Sequence, residues 1–239
     1  MPAPHNTGTR ASSNNQLLVN VQLLRFVGAL LIVLYHVWEG PHQQMGMNIP
    51  FFHAISLFGF AGVDMLFVIS GFIIYFTTAK PESATIPTVF IYQRLVRVYL
   101  GYWPFYVIAA LAFLLTSKAR IAEVNFFSSF FLLPDKTGAT LINACWTLAF
   151  ELYFYGLFFL LLFTRKRIQI ISIMFIAIIA FNIYAAYAWQ AYTWKGYKNL
   201  GAYERFLTAP WMLEFFVGCF AAHAVRKDWQ GGTFFALAA

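Results

Sequence analysis

Six apolar stretches, each near the length a helix needs to cross a hydrocarbon core, run through this chain. Three of them carry an ionisable residue in their interior. A bilayer core takes about 20 mostly apolar residues per helix, which places spans near 21–39, 55–78, 98–116, 141–163, 168–189 and 209–225. His36 lies in FVGALLIVLYHV, Asp64 in GFAGVDMLFVISGFII and Glu151 in CWTLAFELYFYGLFFLLL. A charge at the bilayer centre costs about 2.5–3.5 kcal/mol on insertion scales, so ionisable groups held there usually serve a site. One could be an accident of packing. Three on separate segments point to a reaction centre, or to a proton or substrate path.

With 61% hydrophobic and only 10% charged residues among 239, a water-soluble fold could not hide its apolar surface. The expected fold is therefore all-α, a polytopic transmembrane helix bundle of about six complete spans plus the start of a seventh at 234–239. Residues 1–20, rich in Asn, Ser and Thr, read as a disordered cytoplasmic tail. Residues 21–239 read as one membrane domain that is incomplete at its C-terminal end. The segment Phe126 to Leu133 is too short to cross and reads as interfacial or re-entrant. The net charge of +7 is topological here rather than a sign of nucleic acid. A cytoplasmic N-terminus puts ten basic residues inside, among them the turn Arg165-Lys166-Arg167, and six outside. Cys145 and Cys219 have no ligand-like spacing, so neither a metal site nor a disulfide is expected.

Arg94 and Arg97, three apart, share one helix face at the cytoplasmic entrance of the third span. Two guanidinium forks side by side suit phosphate; the plain alternative is a positive-inside anchor. His36 lies eleven residues beyond Arg25, roughly 16 Å of helix rise, toward the outer side. Its imidazole can act as a general base, or it can simply bond a neighbouring helix. Asp64 and Glu151 lie about as deep as His36 and could pair with it. Glu214 is a further carboxylate, set against Arg205 or a helix end. Gly59, Gly62 and Gly71 read as close helix packing, and Ser70 lacks a nucleophile elbow. The rings Tyr99, Tyr102, Trp103 and Tyr106 read as an interfacial belt.

Together these segments resemble a known family. LLRFVGALLIVLYHV is similar to the opening "LR-x-x-A…Y-H" helix of the integral membrane acyltransferase 3 family, whose members O-acylate bacterial surface glycans and other hydroxyl acceptors. GFAGVDMLFVISGFII resembles that family's "G-x-x-G-V-D-x-F-F-x-I-S-G-F" span, with Leu66 where Phe is commoner. FIYQRLVRVYLGYWPFY resembles its "R-x-x-R-[IL]-Y-P-x-Y" segment, with Leu100-Gly101 displacing the proline. CWTLAFELYFY matches "W-S-L-x-x-E-x-x-F-Y", with Thr147 for serine, and PWMLEFFVGCFAA is similar to a weaker later segment.

The resemblance implies a membrane enzyme that moves an acyl group, often acetyl, from acyl-coenzyme A to a carbohydrate or other cell-envelope hydroxyl. It implies a bacterial inner (plasma) membrane setting and no tightly bound cofactor. By analogy His36 is the catalytic histidine, and Arg94 with Arg97 handle the donor. Asp64 or Glu151 would orient the imidazole; direct transfer and an acyl-histidine intermediate both stay open. A proton-coupled transporter or flippase, and an inactive relative serving as a subunit, are the competing readings. The acceptor and the oligomeric state are not legible in the sequence.

Overall fold

In the computed structural model the residues described are 7–45, 49–51, 54, 58–78, 85–116, 123–135, 140–189, 192–193, 196–197 and 200–226. Among them the helices are α1 (Thr7–Met45), α2 (Gly59–Thr78), α3 (Pro87–Thr116), α4 (Phe126–Phe131), α5 (Trp146–Leu161), α6 (Arg167–Trp189), α7 (Ala202–Leu207) and α8 (Trp211–Arg226). A 3-10 turn, Asn143–Cys145, leads into α5. The strands among these residues are a two-residue antiparallel pair, β1 (Tyr192–Thr193) and β2 (Gly196–Tyr197), between α6 and α7. The fold is all-α, as expected.

Val19–Trp38, Gly59–Thr78, Pro87–Thr116, Arg167–Ala188 and Ala202–Arg226 are long and apolar enough to cross a membrane. The last is broken near Pro210 into α7 and α8, and Asn182 donates to the Thr208 carbonyl at that break. The span expected at 141–163 is helical over Trp146–Leu161, 16 residues, about 24 Å against a core of about 30 Å. The seventh start, 234–239, lies outside the described residues, as do residues 1–6 of the expected tail.

Two helices begin earlier than their apolar runs. Helix α1 starts at Thr7, inside the stretch expected to be a disordered tail. Extending an existing helix costs far less than nucleating one, so the polar residues join the apolar run behind them. Helix α3 starts at Pro87 instead of residue 98. Proline suits the first helical position, and the polar Gln93, Arg94 and Arg97 had hidden this start from a hydropathy reading. Polar side chains inside the helices are satisfied locally: Thr77, Thr78, Thr116 and Ser172 each donate to the carbonyl four residues back. That is the economical solution where no water is at hand.

The chain forms two compact units, Met1–Ile69 and Ser70–Ala239. In the first, α1 and the beginning of α2 run antiparallel, backbone against backbone. A Cβ on Gly62 would lie 2.6 Å from the Gly28 carbonyl oxygen, and one on Gly28 would lie 3.2 Å from Met65. Gly59 meets Tyr35 in the same way. The glycines therefore do what small residues do between membrane helices.

The second unit is centred on fully buried Phe154, Phe158, Met212, Phe215, Phe216 and Cys219. Phe154 and Phe215 stack with centroids 4.0 Å apart. At Gly71 a side chain would run into the Phe215 carbonyl, so α2 and α8 touch through main chain. The Cys219 thiol donates to the Gly71 carbonyl at 3.5 Å, and both cysteines are free. Arg167 donates to the carbonyls of Thr78, Leu161, Leu162 and Thr164, and Arg226 to that of Phe76. These two arginines thus satisfy the open C-terminal carbonyls of α2 and α5. Within the basic turn, Arg165 and Lys166 are exposed and Arg167 is a structural tie.

Helix α4 is where the aromatic belt is corrected. Tyr99, Tyr102, Trp103 and Tyr106 lie at i, i+3, i+4 and i+7 on α3, so they form one stripe. They donate to the carbonyls of Phe131, Ser129, Phe130 and Phe126 at 3.0, 2.6, 3.4 and 3.1 Å. The stripe binds a short helix too short to satisfy its own carbonyls. Asn125 caps its start by accepting from the Ser128 amide, and Leu132 ends it in the left-handed region with φ 54°. That conformation is strained for leucine, and burial of the Leu132 side chain holds it there.

Candidate active site

The five site residues expected from sequence divide between the units: His36 and Asp64 belong to the first, Arg94, Arg97 and Glu151 to the second.

His36 is exposed on α1, with Nδ1 3.0 Å from the carbonyl oxygen of Ile32 one turn back. A carbonyl only accepts, so Nδ1 carries the proton in this contact. In the neutral ring the lone pair then resides on Nε2. Tyr35 stands edge-on to the ring at 5.3 Å. The imidazole is thus oriented through Nδ1 by its own helix backbone.

Asp64 is half-buried on α2. Gly28 facing Gly62, Met65 and Leu66, with Tyr35 facing Gly59, fixes the register of the two helices. That register sets Asp64 opposite the Ala29–Leu31 stretch, roughly 9 Å along the axis from the level of His36 at 1.5 Å per residue. The two do not share a depth, contrary to expectation, because the spacing within each span says nothing about how two spans slide past one another.

In the second unit, α3 and α5 run antiparallel, and the arginines and Glu151 meet on one residue. The Arg94 guanidinium carbon lies 5.5 Å from the centre of the Tyr155 ring and 5.6 Å from that of Phe90. The Tyr155 hydroxyl donates to Glu151 Oε1, and both Arg94 and Arg97 lie within electrostatic reach of that hydroxyl. Arg94 is half-buried under these rings while Arg97 is exposed. The pair is therefore unequal: one guanidinium is packed in place and the other faces outward. Both sit about two to three turns inside α3, yet that helix has 30 residues. At about 45 Å it exceeds the hydrocarbon core, which leaves room for its first turns at the interface.

Tyr155 is the residue that the sequence reading missed. Its signal was available, since Glu151 and Tyr155 are four apart and share a helix face. Tyr155→Phe is expected to destabilise the second unit by about 1–3 kcal/mol, because a half-buried carboxylate loses its donor. Denaturant unfolding in mixed micelles measures this, and a midpoint equal to wild type would show that the bond contributes nothing. Glu214 falls in the first turn of α8, where a helix N-terminus favours negative charge.

Apolar helices long enough to span, with exposed Leu23, Phe26, Ile108, Leu111, Ile173 and Ile176, define an integral membrane protein. The family model described as an acyltransferase domain matches residues 18–238. The chain belongs to the acyltransferase 3 family, and it is a membrane acyltransferase in that general sense. No curated protein and no solved structure matches the chain.

Proposed function

We propose that the chain moves an acyl group from acyl-coenzyme A to a hydroxyl of a carbohydrate or other cell-envelope acceptor, in a bacterial plasma membrane with its N-terminus cytoplasmic. The observation that carries this reading is the His36 hydrogen bond to Ile32, which leaves Nε2 as a proton acceptor. A histidine so arranged suits a general base. In the proposed reaction Nε2 takes the acceptor's hydroxyl proton as that oxygen attacks the thioester carbonyl carbon. The tetrahedral intermediate collapses, the carbon–sulfur bond breaks, and the departing thiolate recovers the proton from the imidazolium. Arg94 and Arg97 hold the donor's phosphates, the packed Arg94 setting position and the exposed Arg97 closing on the ligand. Glu151, tied to Tyr155, balances the local positive charge. Asp64 would act on His36 only through its charge, which favours the imidazolium, since Nδ1 is bonded to Ile32 and Nε2 is the base.

Donor handling is tested with Arg94→Ala and Arg97→Ala. Each removes charge-assisted bonds worth about 1.5–3 kcal/mol, so acetyl-coenzyme A binding should weaken roughly tenfold or more in each. Calorimetry on protein in lipid nanodiscs measures it. Affinity equal to wild type in both variants, with folded protein, would remove the arginines from the donor site.

A further inference from the structure

The second unit contains a cavity of about 170 Å³, lined by residues of α3, α4, α5, α7, the start of α8 and the connecting segments. At about 10–15 Å³ per water position it has room for roughly a dozen, the size of one sugar ring with its hydroxyls. Trp146 and Trp211 stand on one side, with ring centroids 4.6 Å apart, and Phe150 stacks on Phe206 beside them at 4.0 Å. Arg205 and Asp135 line the same space. The Arg205 Nε is shielded from solvent and finds no hydrogen-bond partner among the described residues.

A buried guanidinium N–H without a partner is costly, and the cavity supplies the place for an acceptor atom. The lining is mostly apolar and aromatic, yet it carries both a donor in Arg205 and an acceptor in Asp135, and that carboxylate opposes a phosphate. A pyranose answers both features: its carbon-bound hydrogens suit indole faces, and its hydroxyls can accept from arginine and donate to aspartate. We propose that this cavity binds one pyranose unit of a glycan, forming the acceptor subsite of the transfer reaction described above, on which its role rests.

Its position fits that role. Ala149 and Phe150, which line the cavity, immediately precede Glu151. Trp146 lies nine residues before Tyr155 on α5, about 13 Å along the axis. The sugar cavity and the Arg94–Tyr155 contact therefore occupy opposite ends of the same α3–α5 interface, with Glu151 between them. A donor and an acceptor arriving from opposite faces of a membrane would need such an arrangement.

The test is saturation-transfer NMR of full-length protein in lipid nanodiscs with methyl glucopyranoside, galactopyranoside and mannopyranoside, alongside acetyl-coenzyme A hydrolysis. Wild-type protein should transfer saturation onto the carbon-bound protons of at least one of these sugars. Ala149→Phe, which fills the cavity, should abolish the signal, and Arg205→Gln should weaken binding about tenfold. Absence of binding by wild type to all three sugars, or wild-type binding in both variants, overturns the cavity assignment while leaving any measured acyl transfer intact. Sugar binding lost in both variants, in a protein without acyl turnover, supports the pyranose site and removes the transfer role instead.

Discussion

His36→Ala is expected to lower acyl transfer by about 10²–10⁴-fold, the usual contribution of a positioned general base, with donor affinity unchanged. His36→Asn is the sharper variant. Its side-chain amide can still donate to the Ile32 carbonyl, the bond that orients the wild-type ring at 3.0 Å, yet it offers no basic nitrogen. If orientation alone mattered, asparagine would rescue. The expected result is that both variants lose turnover alike, measured as thiol release from acetyl-coenzyme A in the presence of a sugar acceptor. Transfer by His36→Asn at a rate near wild type would take proton removal away from this residue.

Gly71→Ala carries the largest expected effect on stability. A methyl group there would collide with the Phe215 carbonyl oxygen, and backbone cannot swing aside as a flexible side chain can. Overpacking of this kind costs about 1–3 kcal/mol or more, against a gain of about 1 kcal/mol that alanine brings to a helix interior. The clash should win. Gly156→Ala is the matched control, because its Cβ would meet nothing within 4 Å; it should be neutral or slightly stabilising. Thermal unfolding in detergent compares the two, and equal shifts would mean that α2 and α8 are not in main-chain contact.

Much of the helical frame was legible because a bilayer imposes length and hydropathy together. Gly59–Thr78 and Arg167–Trp189 follow their apolar runs closely, and the eight-residue piece from Phe126 was readable as too short to cross. What stayed hidden is whatever depends on a partner helix. Tyr99, Tyr102, Trp103 and Tyr106 have the composition of an interfacial belt, and only the placement of α4 against them turns their donors toward its carbonyls. Arg167 has the look of a topology signal, yet it ties the ends of two helices.

The candidate site shows the same division. His36, Asp64, Arg94, Arg97 and Glu151 stood out because charge inside an apolar run is expensive. Which of them meet was not encoded in their spacing. The convergence of Arg94 and Glu151 on Tyr155 depends on the antiparallel register of α3 and α5, and the separation of Asp64 from the level of His36 on glycine contacts at Gly28 and Gly62. The cavity at Trp146 and Arg205 gathers residues from five parts of the chain, so no local pattern announces it.

The central claim, that this membrane acyltransferase uses coenzyme A thioesters with His36 as base, is tested most directly by one assay. Purified protein in nanodiscs is given acetyl-coenzyme A carrying an isotopic label in its acetyl group, with a methyl hexopyranoside, and both free thiol and labelled sugar ester are followed. The account predicts one ester formed per thiol released above the water background, with both lost in His36→Ala. Folded wild-type protein that binds the donor but forms neither product, or His36→Ala protein that forms both at the wild-type rate, would contradict it.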